Sequence, residues 1–176
     1  NWWLIRHGTD GALCHYDRIK AQMWKEGYRK PILLQTQYGV DPEQFKPDSR
    51  KREEMRERLG LTGVVIGFCG RFVDEKGIRE LMRATERIPH LDWQLLLVGD
   101  GKLRPEVEEW IRINGFEDRV KLPGFIPHNQ VQDFFQAMDI FVLGSKETET
   151  YIDTFPLVVA QAMTMGLPVA GSNSGA

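Results

Sequence analysis

The sequence predicts an α/β domain built on a doubly wound parallel sheet, and three observations carry that expectation. From Gly63 onward, short apolar runs alternate with segments of helical periodicity. The runs are apolar on both faces, and a glycine-bearing loop follows each of them. Strands buried on both faces, with a helix between each pair, call for parallel pairing through right-handed crossovers.

Taken in order, "DRIKAQMWKEGY" (17–28) reads as an amphipathic helix and "PILLQT" (31–36) as a strand. Residues 38–61 form a link stiffened by Pro42 and Pro47, then a highly charged helix ending at Leu59-Gly60, which marks the domain boundary. The β-branched run "GVVIGFC" (63–69) is the first strand of the main domain. The helix at 78–88 follows, with Ile78, Leu81, Met82 and Ile88 at helical spacing. Next come a strand at 93–99, a helix at 104–115 stopped by glycine, and a strand at 119–124. A helix at 129–138, a strand at 139–144, a helix at 155–166 and a strand at 167–172 complete five strands, the number of a Rossmann-like half. The five tryptophans read as packing residues.

Bulk composition excludes several classes. A formal charge of −2 over 176 residues provides no field to recruit nucleic acid or an anionic membrane, so any anion site must be local. Cys14 and Cys69 lack ligand or disulfide spacing, and a reduced, cytoplasmic setting is expected. No apolar run approaches the roughly 20 residues that span a bilayer, and no signal peptide is visible. The chain opens without methionine and stops just after its last strand, so both ends read as cut from a longer protein.

Ligands of open parallel sheets bind beyond the carboxyl ends of the strands, and the unusual loops fall at that edge. Gly70-Arg71 closes the first strand of the main domain and Lys76-Gly77 opens the next helix. Helix N-termini offer free N–H groups, glycine admits close approach, and two cations there suit a diphosphate. A surface ion pair from Arg71 to Asp74 or Glu75 explains the same residues equally well. In "VGDG" (98–101), Gly99 and Gly101 allow close passage to a ligand; a plain turn with Asp100 as helix cap is the alternative. Gly124-Phe125 offers a rest for a flat base or is simply a tight turn. The polar loop "GSKETETYIDTFP" (144–156) leads to Asp153, ahead of a helix, and Gln161 lies two turns into that helix. Charge complementarity is the alternative for the former and a solvated helix face for the latter. "ETE" (147–149) and the four histidines show no metal spacing, and neither GxGxxG nor a Walker lysine pattern is present.

In order, these pieces resemble the retaining glycosyltransferases of the GT-B fold, in particular glycosyltransferase family four (group 1). The matching text is "YGVDPEQFKP" (38–47), "GRFVDEKGI" (70–78), "LLLVGDGKLR" (95–104), "VKLPGFIP" (120–127), "MDIFVLGS" (138–145) and "DTFPLVVAQAMTMGLPVAGSNSGA" (153–176). The resemblance implies that residues 63–176 bind a nucleotide-sugar donor, that 39–62 are an interdomain linker and helix, and that 1–38 are a remnant of an acceptor-binding N-terminal domain. It further implies that Arg71 and Lys76 hold the diphosphate as leaving group without a metal or other cofactor, and that Gly70 lets the backbone approach. Gly99 and Gly101 would border the donor, Phe125 and Ile126 would receive the base, and Phe155, Pro156 and Leu157 would lie at the helix start facing it. Gln161 stands where the family has a Glu for the ribose hydroxyls, and Asp153 where it has a Glu for the donor sugar. Pro156 replaces a usual Gly and Gly144 a usual Pro.

The implied function is glycosyl transfer with retention from a nucleoside-diphosphate sugar to an unknown sugar, lipid or small-molecule acceptor. It requires the missing N-terminal domain and no nucleic acid, and leaves peripheral membrane association of the longer protein open. A degenerate nucleotide-binding module, a related sugar-nucleotide epimerase and a phosphorylase are the rival readings.

Overall fold

The structure is a computed structural model that describes residues 2–35, 39–149, 151–153 and 156–173. The chain divides into two compact units, and the division falls between Gly39 and Val40.

The first unit contains α1 (Trp2–Gly8), β1 (Ala12–Cys14), α2 (Asp17–Lys25) and β2 (Ile32–Leu34). β1 and β2 pair in parallel, with Ala12 opposite Ile32 and Cys14 opposite Leu34. Its small core joins Cys14, Met23 and Tyr28 with Trp2, Ala12 and Ile32. Sequence periodicity finds only α2 and β2 here, because a seven-residue helix and a three-residue strand are too short to show a period. The tryptophan expectation also needs correction. Trp93 and Trp110 are buried, but Trp3 and Trp24 of this unit are 65% and 49% exposed.

The second unit opens with α3 (Ser49–Leu59) and then alternates β3 (Val64–Cys69), α4 (Ile78–Glu86), β4 (Trp93–Val98), α5 (Arg104–Asn114), β5 (Val120–Gly124), α6 (Val131–Gln136), β6 (Ile140–Leu143), α7 (Leu157–Thr164) and β7 (Val169–Gly171). The strands form one sheet in the order β5-β4-β3-β6-β7, every pair parallel. This is the expected α/β class. All six residues of β4 are buried, as a strand covered on both faces must be. α4 buries Ile78, Leu81, Met82 and Thr85, a single stripe at helical spacing.

The chain winds from β3 through β4 to β5 on one side, then returns to lay β6 and β7 on the other. The reversal lies between β3 and β6, and the carboxyl ends of these two strands therefore border the crevice where such sheets take ligands.

α3 is too charged to be held by apolar burial alone, and Met55 is its one buried residue among those described. Asp139, just ahead of β6, anchors it. One carboxylate oxygen accepts from Arg52 at 2.5 Å; the other accepts from Arg56 at 3.1 Å and from the Val65 N–H at 2.8 Å. Arg52 also donates to the carbonyls of Gln136 and Met138, and Arg56 to that of Ala137. Burial opposes the Asp139 charge, but the Val65 N–H and the two guanidinium groups outweigh it and hold its pKa below the ordinary aspartate value. Asp139→Ala strands both arginines and a backbone donor, so urea denaturation should show a loss of about 2–4 kcal/mol. Because the folded pKa is depressed, the anchor contributes fully above the unfolded value near 3.9 and is lost as the pH falls below it. Wild type and Asp139→Ala should therefore converge in stability as the pH drops below about 4.

Candidate donor site

Backbone hydrogen bonds lace the carboxyl ends of β3, β4 and β5 together. The N–H of Gly70 donates to Val98, that of Gly99 to Gly124, and that of Phe72 to Asp100. The fully buried Phe72 side chain fixes the loop after β3 to the domain, and its carbonyl accepts from Leu103. Over this floor lies a cleft of about 210 Å³, lined by Cys69, Gly70, Arg71, Val98, Gly99, Asp100, Phe125, Ile126 and Val131. The structure thus gathers five of the sequence-designated residues, Gly70, Arg71, Gly99, Phe125 and Ile126, around one space.

Within it the Phe125 ring stands 76% exposed, an unusual state for a large aromatic residue. Among the described residues the Arg71 side chain makes no hydrogen bond or ion pair. The pairing with Asp74 or Glu75 that sequence left open is not formed, because Asp74 binds Arg79 at 2.7 Å and Lys146 at 3.1 Å instead. Burial pushes the Cys69 thiol up to about 12, so Cys69 is a neutral wall of the cleft and not a nucleophile.

The glycines of the β4 loop also have a packing reason. A Cβ on Gly99, where φ is +132°, would lie 1.9 Å from the Gly70 carbonyl oxygen, and one on Gly101 would lie 2.6 Å from that of Phe72. Both residues are small so that the cleft-forming loops can pack on each other. Asp100 does not cap α5; its carboxylate accepts from the Gly101 N–H and from Arg104.

A second cluster forms where β3 and β6 diverge. A short 3-10 turn, Asp74–Lys76, carries Lys76 to the start of α4. Its ammonium donates to Asp153 at 2.5 Å, and the Ser145 hydroxyl donates to the same carboxylate oxygen at 2.6 Å. Burial disfavours the Lys76 charge, but hydrogen bonding and charge from Asp153 and Tyr151 prevail and raise its pKa above the ordinary lysine value. The family resemblance assigns Lys76 and Asp153 to different parts of a ligand; in the structure they are bound to each other. Pro156, in extended backbone, precedes α7, and Leu157 is its first residue. Phe155 lies outside the described residues. Gln161 is not on a solvated face: it is 2% exposed, and its amide donates to Nε2 of His128 at 3.1 Å.

Sequence reasoning missed Ser145, Lys146 and His128. The first two lie in the polar loop after β6 that its length had marked, whereas nothing in the sequence ties His128 to Gln161.

A sequence profile described as "Glycosyl transferases group 1" matches residues 63–176, well over half of the chain. The chain belongs to this family. Among group 1 relatives it is 31% identical to the 2-deoxystreptamine glucosyltransferase of Streptomyces kanamyceticus, over 98% of this chain and 45% of that protein. It is 32% identical to a D-inositol 3-phosphate glycosyltransferase of Corynebacterium kroppenstedtii, over 96% of this chain and 37% of that protein. Among solved structures, Anabaena HepE in complex with UDP superposes with a TM-score of 0.78 at 23% identity, over 95% of this chain and 46% of that one. Sucrose-phosphate synthase from Thermosynechococcus elongatus gives a TM-score of 0.75 at 26% identity, over 97% and 42%. The group 1 chain described here thus spans less than half the length of these relatives. Among its described residues no helix is long and apolar enough to cross a membrane, and no group of three or more metal-ligating side chains occurs.

Proposed function

We propose that the protein is a retaining glycosyltransferase of family four, with residues 63–176 forming the site for a nucleoside-diphosphate sugar. The observation that carries the reading is the cleft at the carboxyl edge of the sheet, where an Arg71 guanidinium without a partner among the described residues and an exposed Phe125 ring share one space in a group 1 chain. HepE, with the same fold, was crystallised with UDP-glucose, which supports a donor of that class here.

In this reading the base rests on Phe125 and Ile126 over the Gly124 turn. Gln161, together with the His128 ring it binds, recognises the ribose. Arg71 forks onto phosphate oxygens while Lys76 adds a point charge. As the bond from the sugar to the diphosphate breaks, negative charge gathers on the leaving phosphate, and the two cations stabilise it as it develops. Asp153 faces the donor sugar. The reading calls for no metal. Residues 1–38 would be part of the acceptor-binding domain and 39–62 the link to the donor domain, with the acceptor held largely outside this chain. It places the reaction in the cytoplasm, where the two free, buried cysteines stay reduced.

The test is titration of the full-length protein with uridine and guanosine diphosphates, then with their sugars, following transfer and the anomeric configuration of the product. The reading expects one diphosphate to bind and its sugar to be transferred with retention. Binding without hydrolysis or transfer would favour a degenerate binding module, and failure of every nucleoside diphosphate to bind would contradict a donor site.

A further inference from the structure

The two cations of the donor site are not in the same state, and the difference points to a property of this chain. Arg71 is open to the cleft. Lys76 is occupied by Asp153 in a pair with side-chain exposures of only 15% and 11%, where water screens charge poorly. We propose, resting on the donor-site reading above, that Asp153 is a built-in competitor for the donor's diphosphate: its carboxylate holds Lys76 until a sufficiently charged anion displaces it.

Several independent contacts hold the competitor in place. The carboxylate oxygen that accepts from Lys76 also accepts from Ser145, so it sits in a two-donor socket and not on a freely turning side chain. Lys146, next in sequence, ties the loop to the turn that carries Lys76. Its N–H donates to the Glu75 carbonyl at 2.8 Å, and its ammonium reaches both Asp74 oxygens, at 3.1 and 3.2 Å, and Glu80 at 2.8 Å. Asp74 is in turn gripped by Arg79. Lys146 thus joins the loop to the turn and to the first turn of α4, beside the Lys76–Asp153 pair in sequence.

Apparent affinity falls in proportion to the fraction of molecules whose site is competent. An anion must therefore outbid Asp153 for Lys76 before it gains full affinity. A diphosphate, which also engages Arg71, can do so; a single carboxylate or a lone phosphate cannot. The arrangement favours nucleoside diphosphates over nucleoside monophosphates, and displacement frees Asp153 to turn to the sugar.

The experiment is calorimetric titration with inorganic pyrophosphate and with UDP, comparing wild type, Asp153→Asn, Lys76→Ala, the two combined, and Glu149→Gln, the last a control for loss of one negative charge from the same loop. Asp153→Asn should bind pyrophosphate about tenfold or more tightly than wild type, since it removes the competing state. The gain should vanish when Lys76→Ala is added, and Glu149→Gln should not reproduce it. Equal affinities of wild type and Asp153→Asn, with Lys76→Ala still weakened, would overturn the competitor while leaving the donor site standing. An equal gain from Glu149→Gln would overturn it as a general charge effect. If no variant bound pyrophosphate or UDP, the donor site itself would fall and the competitor with it. A second measurement needs no variant: a zero-length carbodiimide cross-link between Lys76 and Asp153 should form in the free protein and disappear at saturating UDP. Its persistence under saturation would contradict displacement.

Discussion

Replacing Arg71 and Lys76 together with alanine is expected to abolish nucleoside-diphosphate binding while leaving the fold intact. Each charge-assisted contact is worth about 1.5–3 kcal/mol. Losing both should weaken affinity by roughly a hundred- to ten-thousandfold. The two single variants should differ in character. Arg71→Ala deletes a cation that has no partner among the described residues, so its cost should appear mainly in binding. Lys76→Ala also leaves Asp153 without its cation, so the remaining carboxylate repels the ligand and costs some stability as well. Titration of all three variants, with circular dichroism to confirm folding, measures this. Affinity within about threefold of wild type in the double variant would place the diphosphate elsewhere.

Gly77→Ala should be among the most damaging single methyl groups in the domain. Gly77 has φ of +71°, and a Cβ there would lie 1.9 Å from the Gly144 carbonyl oxygen. The left-handed conformation alone costs a residue with a Cβ about 1–2 kcal/mol. Displacing a backbone carbonyl adds to this, so a loss of roughly 3 kcal/mol or more in urea denaturation is expected. The damage should reach binding too, because the methyl forces the turn that carries Lys76 away from the end of β6. The reciprocal change is the control. A Cβ on Gly144 would meet Gly77 only at 3.6 Å, an ordinary contact, so Gly144→Ala should be nearly neutral. Equal damage from the two changes would contradict this asymmetry.

The sheet was legible above all through β4, whose six residues are all buried: "WQLLLV" is apolar but for Gln94, which is buried too. The residues around the cleft were legible for a related reason. Arg71, Gly99 and Phe125 follow directly on buried strands, so placing the strands places them at one edge. The contacts that depend on long-range packing were not legible. Gln161 and His128 are 33 residues apart, and only the approach of α7 to the loop after β5 joins them. The pairing of Lys76 with Asp153, 77 residues on, depends on a polar loop with no periodicity to fix its path. The glycine motif was read in the right place with an incomplete reason, since a sequence shows that a side chain is missing but not which atom occupies the space. α1 and β1 were invisible because neither is long enough to repeat its period: the helix makes about two turns and the strand about one alternation.

The central claim is that the loops after β3, β4 and β5 and the start of α4 form one seat for a diphosphate. A crystal structure of the protein with a bound nucleoside diphosphate tests it most directly. The account expects phosphate oxygens within hydrogen-bond distance of both the Arg71 guanidinium and the Lys76 ammonium, the base against Phe125, and Asp153 released from Lys76. A nucleotide bound away from this edge, or one held there with the Lys76–Asp153 pair still intact, would contradict it.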